Sequence, residues 1–184
     1  RKLTKERPES FREAIQMVII YTMIDGAREW GRMDDYLAPF YVNDLRNGVI
    51  DEEEAIRQLT SFWQLMIAKE QVTDDRVIIG GLGRKHPKEA DELALVIMEV
   101  SRRVRDIVPQ LTLRMYEGMD ERLYKKAMDC IGEGTTYPML YQDENIIPGV
   151  MNVFGISYEE ALNWMPLGCG EFTIDHSIIV SPNS

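Results

Sequence analysis

The chain has 184 residues, 45% of them hydrophobic and 28% charged, with a formal net charge of −10, which is enough material for one sizeable core of globular type. The acidic balance excludes a nucleic-acid binder, which needs clustered Lys and Arg, and no apolar run reaches the roughly 18 residues of a membrane span. The opening Arg1-Lys-Leu-Thr-Lys-Glu-Arg7 lacks the apolar centre of a signal peptide, and Cys130 and Cys169, the only two cysteines, give neither a disulfide framework nor paired zinc spacing, so a reducing cytoplasmic setting is expected.

From Pro8 to Arg32 the apolar residues Phe11, Ala14, Val18, Tyr21, Met23 and Ile24 recur at helical spacing, which predicts a long helix with one buried stripe, stopped near Gly31. Asp35 to Arg46 predicts a second helix broken by Pro39. Asp51 caps a third, Glu52 to about Lys69, whose acidic first turn suits the positive end of the helix dipole. The period then changes. Arg76-Val-Ile-Ile-Gly-Gly81 predicts a buried strand ending in a tight turn, and Pro87 opens a helix to about Arg105. Gln110 to Met115 is a second strand and Glu121 to Ile131 a helix; Pro138 to Tyr141 is a third strand, and Asp143 to about Phe154 a helix. Ser157 and Glu160 have capping-box spacing, so a helix through Trp164 is expected, after which Met165 to Gly168 forms a fourth strand. Strands alternating with long helical crossovers argue for parallel strands covered by helices. The chain starts without methionine and closes on Ser-Pro-Asn-Ser, so it reads as a segment of something longer.

The stretch Trp164-Met-Pro-Leu-Gly-Cys-Gly-Glu-Phe172 concentrates the chemistry. An apolar approach followed by glycines on both sides of a cysteine describes a buried strand that turns tightly and presents Cys169 at the tip. Four readings compete. A free cysteine is most often a small buried hydrophobe, although a core position needs no flexible turn. A thiolate nucleophile needs a neighbouring cation or base, for which His176 is the local candidate, while Glu171 and Asp175 oppose ionisation. A metal site from Cys169, Glu171, Asp175 and His176 lacks a second cysteine. Radical chemistry needs a neutral thiol that can give up a hydrogen atom, with a carboxylate close enough to move a proton, and Glu171 stands two residues on. The non-enzymatic alternative is a helix-rich acidic scaffold or interaction domain with a structural Cys169, and a further enzymatic one is a thiol hydrolase using Cys169 and His176.

His86, beside Pro87, reads as solvated; Cys130, at helical spacing from Leu123 and Ala127, reads as core; Gly80-Gly81 lacks the Lys-Ser or Lys-Thr of a phosphate loop. The methionines and tryptophans read as core.

Gly168-Cys169-Gly170-Glu171 resembles the Gly-Cys-x-Glu motif of the dehydratase and decarboxylase branches of the glycyl radical enzymes, the pyruvate formate-lyase-like family. Gly31-Arg-Met-Asp34, Pro39-Phe-Tyr41 with Asp44, Ile79-Gly-Gly81, Asp91-Glu-Leu93, Pro109-Gln-Leu-Thr-Leu-Arg114, Pro138 with Gln142-Asp-Glu144, Ile147-Pro148 and Tyr158-Glu-Glu-Ala161 follow the same order, from about residue 10 to Glu171. The resemblance implies part of a ten-stranded α/β barrel, made of two five-stranded halves, with the cysteine loop inside it. Residues 1–184 would be an internal segment of one such domain, ending just after that loop. It implies that Cys169 carries a thiyl radical and that Glu171 is the acid or base. The glycine that stores the radical would lie beyond residue 184, installed by an activating enzyme with S-adenosylmethionine and an iron-sulfur cluster. The expected activity is a lyase, dehydratase or decarboxylase acting on a small organic substrate, in a homodimer. Gly168 stands where pyruvate formate-lyase has a second cysteine, so its acyl transfer is not expected. Phe172, Asp175 and His176 are the substrate-facing candidates; Phe172 replaces the proline of diol dehydratases and points to an aromatic or otherwise apolar substrate.

Overall fold

Four short strands run parallel and lie side by side in chain order: β1 (Glu29–Arg32), β2 (Arg76–Gly80), β3 (Leu111–Met115) and β4 (Met139–Gln142). The structure is a computed structural model and describes residues 5–25, 29–69, 75–168 and 170–174. Each return between parallel neighbours needs a long crossover, and helices supply it: α2 (Met33–Arg46) and α3 (Glu52–Ala68) after β1, α4 (Pro87–Val104) after β2, α5 (Glu121–Gly132) after β3. α1 (Phe11–Asp25) precedes the sheet; α6 (Asp143–Phe154) and α7 (Tyr158–Ala161) follow it. An antiparallel hairpin, β5 (Trp164–Leu167) with β6 (Glu171–Ile174), closes the described chain.

The helix starts are chemically marked. The Asp51 carboxylate accepts the Glu54 N–H at 2.7 Å, Asp120 accepts that of Arg122 at 2.9 Å, and Ser157 with Glu160 forms a complete capping box. α4 begins on Pro87 and ends at Arg105 in the left-handed region.

The two faces of the sheet differ, because successive strand residues point to opposite sides. Val77, Ile79, Leu111 and Leu113 enter one large core with Leu37, Leu59, Trp63, Leu93, Ile97 and Leu123 of the helices. Burial of each such aliphatic side chain stabilises the fold by about 1.5–3 kcal/mol. The residues between them, Arg76, Ile78, Gly80, Thr112 and Arg114, face the other way. There a smaller cluster, Ile147, Val150, Ala161, Trp164 and Ile174, joins α6, α7 and the hairpin to Tyr141 and Leu82.

Several expectations are corrected. The first helix ends at Asp25, and Glu29–Arg32 is strand β1 rather than its last turn. Phe11 and Ala14 are buried, but Tyr21, Met23 and Ile24 are exposed, since α1 meets the core only through its first turns and Val18 and Ile19. Pro39 does not break α2; the helix keeps Leu37, Ala38 and Tyr41 buried against its neighbours, which outweighs one missing backbone bond. The capping-box helix stops at Ala161, and Trp164 opens β5 instead. That fourth expected strand pairs antiparallel with β6 and lies outside the parallel sheet.

Candidate active site

The hairpin register, Leu167 opposite Glu171 and Trp164 opposite Ile174, puts Gly168 and Gly170 at the end of the hairpin between its strands. The Gly170 N–H donates to the Leu167 carbonyl at 2.9 Å. Gly170 has φ +121, and a Cβ there would stand 2.8 Å from the Tyr141 hydroxyl, so both backbone conformation and close approach require glycine.

The base of the hairpin is locked to β3. Arg114, fully buried, grips Asp143 with two 2.9 Å hydrogen bonds and donates to the carbonyls of Trp164 at 2.9 Å and Leu162 at 3.2 Å. The Asp143 carboxylate also accepts the Trp164 indole N–H at 2.9 Å and the Leu82 N–H at 2.7 Å. The guanidinium lies 4.6 Å from the Trp164 ring centroid, adding a cation–π contact. Four donor contacts on one buried carboxylate are what make such a charge tolerable away from water.

The tip is held at the opposite end of the strands. Arg76, fully buried at the start of β2, donates to the Gly168 carbonyl at 2.6 Å. Glu29, at the start of β1, accepts the Gly168 N–H at 3.3 Å. Base contacts near the strand C-termini and tip contacts at their N-termini mean that the hairpin lies lengthwise on the face of the sheet opposite the main core.

A second charged layer surrounds the β2 turn. One Arg32 nitrogen donates to the carbonyls of Gly80, Gly81 and Leu82 at 3.1, 3.2 and 2.8 Å. Asp34 accepts the Gly80 N–H at 2.8 Å and Arg84 at 3.0 Å. Burial pushes the Asp34 carboxyl up to about 6, against the pull of the Arg84 cation. Burial draws Arg32 down to about 10, and the nearby Arg114 charge adds to the effect. The Gly80-Gly81 turn packs on Arg114, whose atoms a Cβ at either glycine would strike at 2.5–2.6 Å.

Of the residues singled out in the sequence, Glu171 opens β6 and is exposed. Phe172 packs edge-on against Tyr141 and Trp164, with ring centroids 6.2 and 5.4 Å away. With Ile146, Val150, Val153 and Phe154 it lines a groove of about 370 Å³. Cys169, Asp175 and His176 lie outside the described residues. Cys130 is buried, as its helical spacing indicated, and His86 is exposed at the start of α4. Sequence reasoning passed over Glu29, Arg76 and Tyr141. For Arg76 the available signal was a charged residue in an otherwise apolar strand, which must find a partner once buried.

A sequence profile described as pyruvate formate lyase-like matches residues 1–177. The chain belongs to that family. Among the proteins that this pyruvate formate lyase-like chain resembles is the (2S)-3-sulfopropanediol dehydratase of Klebsiella oxytoca, 25% identical over 187 residues, which cover 91% of this chain and 22% of the relative. The 4-hydroxyphenylacetate decarboxylase glycyl radical subunit of Clostridioides difficile is 30% identical over 194 residues, 92% of this chain and 21% of the relative. The solved hydroxyproline dehydratase of Clostridioides difficile, with trans-4-hydroxy-L-proline bound, superposes with a TM-score of 0.74 at 25% identity, over 91% of this chain and 24% of that one. The chain thus spans less than a quarter of the length of each. These relatives are two dehydratases and a decarboxylase named as a glycyl radical subunit, which agrees with the resemblance read from the motifs and does not favour the scaffold or thiol-hydrolase alternatives.

Proposed function

We propose that this chain carries the reacting cysteine of a glycyl radical lyase. The observation that supports the reading is the placement of the hairpin tip that carries Gly168 and Gly170: it is laid on the sheet face opposite the main core and tied to it at base and tip. In this reading β1–β4 are part of the wall of a ten-stranded barrel, that face looks into its interior, and residues 1–184 are an internal segment of the domain.

Cys169 gives its sulfhydryl hydrogen atom to the protein radical and, as a thiyl, takes a hydrogen atom from a substrate carbon. The substrate radical loses its leaving group from the adjacent carbon while Glu171 moves the accompanying proton. The product radical recovers a hydrogen atom from Cys169. The sulfur has to begin neutral, since a thiolate has no hydrogen atom to give, and an enclosed interior keeps water from the radicals. The glycyl radical supplies the initiating unpaired electron; in this reading it resides on a glycine beyond residue 184 and is installed by a separate activating enzyme using S-adenosylmethionine and an iron-sulfur cluster. The substrate is a small organic molecule that undergoes dehydration, decarboxylation or a related cleavage, and not the acyl transfer of pyruvate formate-lyase. Phe172 favours an apolar part of it, with Asp175 and His176 as further contacts, in a cytoplasmic homodimer.

The test uses the full-length activated enzyme with (2S)-3-sulfopropanediol, 4-hydroxyphenylacetate and trans-4-hydroxy-L-proline as probes, chosen from the relatives' names. Cys169→Ser and Glu171→Gln should each abolish turnover with an unchanged circular dichroism spectrum. Full activity in Glu171→Gln, combined with loss in His176→Ala, would instead indicate a thiol hydrolase.

A further inference from the structure

We propose that Arg76 is a positioning residue that, with Glu29, fixes the peptide from which Cys169 departs; the inference rests on the radical reading of Cys169. Arg76 occupies an inward position of β2 and is fully buried, where an apolar side chain such as the next inward residue, Ile78, would avoid the desolvation of a charge. Its terminal nitrogens are spent on fixed acceptors. One donates to Thr112 Oγ1 at 2.7 Å and the Met139 sulfur at 3.4 Å. The other donates to the Gln110 side-chain oxygen and, at 2.6 Å, to the Gly168 carbonyl. Its Nε is buried without a hydrogen-bond partner, so the polar contacts that offset the burial of this charge are those of its outer donors.

Gly168 is gripped on both polar groups, since its N–H donates to Glu29. Glu29 and Arg76 are register partners on neighbouring parallel strands, which sets one acceptor and one donor side by side under the tip. Hydrogen bonds to ionised groups are roughly twice as strong as neutral ones. The Gly168 carbonyl shares a planar unit with the nitrogen of the next residue, so holding it restricts how that residue leaves the turn. Hydrogen-atom transfer depends steeply on approach, and a displacement of about 1 Å costs on the order of 100-fold in rate.

The experiment needs no knowledge of the substrate. The activated full-length enzyme is transferred anaerobically into D₂O and followed by electron paramagnetic resonance. A cysteine sulfhydryl exchanges with solvent, so reversible transfer between Cys169 and the radical glycine replaces the α-hydrogen and collapses its splitting. Arg76→Met should slow the collapse by about 10- to 100-fold while keeping the radical yield and melting temperature, and Arg76→Lys, which retains a donor, should recover part of the rate. If Arg76→Met does not fold, Glu29→Ala, which removes the other half of the grip, should slow the collapse in the same way. Wild-type collapse in Arg76→Met or Glu29→Ala, with none in Cys169→Ser, overturns the positioning role and leaves the radical reading standing. Wild-type collapse in Cys169→Ser overturns the radical reading itself.

Discussion

Replacing Arg114 by methionine tests whether the hairpin base is held by charge. The side chain donates four hydrogen bonds, two of them to Asp143, and both members of the pair are fully buried. Without it, Asp143 keeps its two neutral donors, Leu82 and Trp164, but becomes an uncompensated buried charge, and the carbonyls of Trp164 and Leu162 each lose a donor. Removal of one member of a buried ion pair costs about 3–5 kcal/mol, equivalent to a melting-temperature drop of about 6–20 °C for a domain of this size. Differential scanning calorimetry on Arg114→Met, Asp143→Leu and the double variant forms a mutant cycle. The double variant should be more stable than the sum of the single losses implies by about 1–3 kcal/mol. A single loss below about 1 kcal/mol, or strict additivity, would refute the assignment of this pair as the hairpin's anchor.

Gly170→Ala should destabilise by about 1–3 kcal/mol, because φ is +121 and the new methyl meets the Tyr141 hydroxyl; adding Tyr141→Phe should return only part of the loss, as read by urea unfolding. Asp34 gives a pH signature. Its folded-state value is raised from 3.8 to about 6, by burial first, so its contribution to stability is complete below its ordinary value and is lost as pH rises through about 6. The stability of the protein relative to Asp34→Asn should therefore fall across that window, and a pH-independent difference would contradict it. At the rim of α4, the partly buried Glu99 is held below its ordinary carboxylate range by Arg102 first, then Lys126 and Arg103; Glu99→Gln should cost about 1 kcal/mol in dilute buffer and less in 1 M salt, measured by denaturant midpoints.

The alternation of helix and strand was legible because each element carries its own period or cap: Arg76–Gly80 is an apolar run into glycine, and Asp51, Pro87 and Ser157 announce helix starts. β1 was not, since Glu29-Trp-Gly-Arg32 contains no β-branched residue and becomes a strand only by pairing with β2, over 40 residues away in sequence. Helix ends failed for a related reason. Nothing between Ala161 and Trp164 stops a helix locally; Trp164 is drawn into β5, where its indole meets Asp143 and its carbonyl meets Arg114. In the candidate site, the bend at Gly168 and Gly170 was readable because glycines mark it. Its supports were not, because the Arg76–Gly168 and Glu29–Gly168 contacts join residues 92 and 139 positions apart, a separation that no local pattern encodes.

On the radical reading proposed above, the hairpin's double fastening also bears on how the protein could acquire a new specificity. Thr112, Arg76 and Arg114 are already committed to bonds that hold the finger or its supports, and Tyr141 packs against its turn. Substitution along that row would disturb the mounting before it altered selectivity. Redesign for another molecule is therefore better directed at side chains that approach the finger from its far side, with this panel of strands left as a fixed chassis.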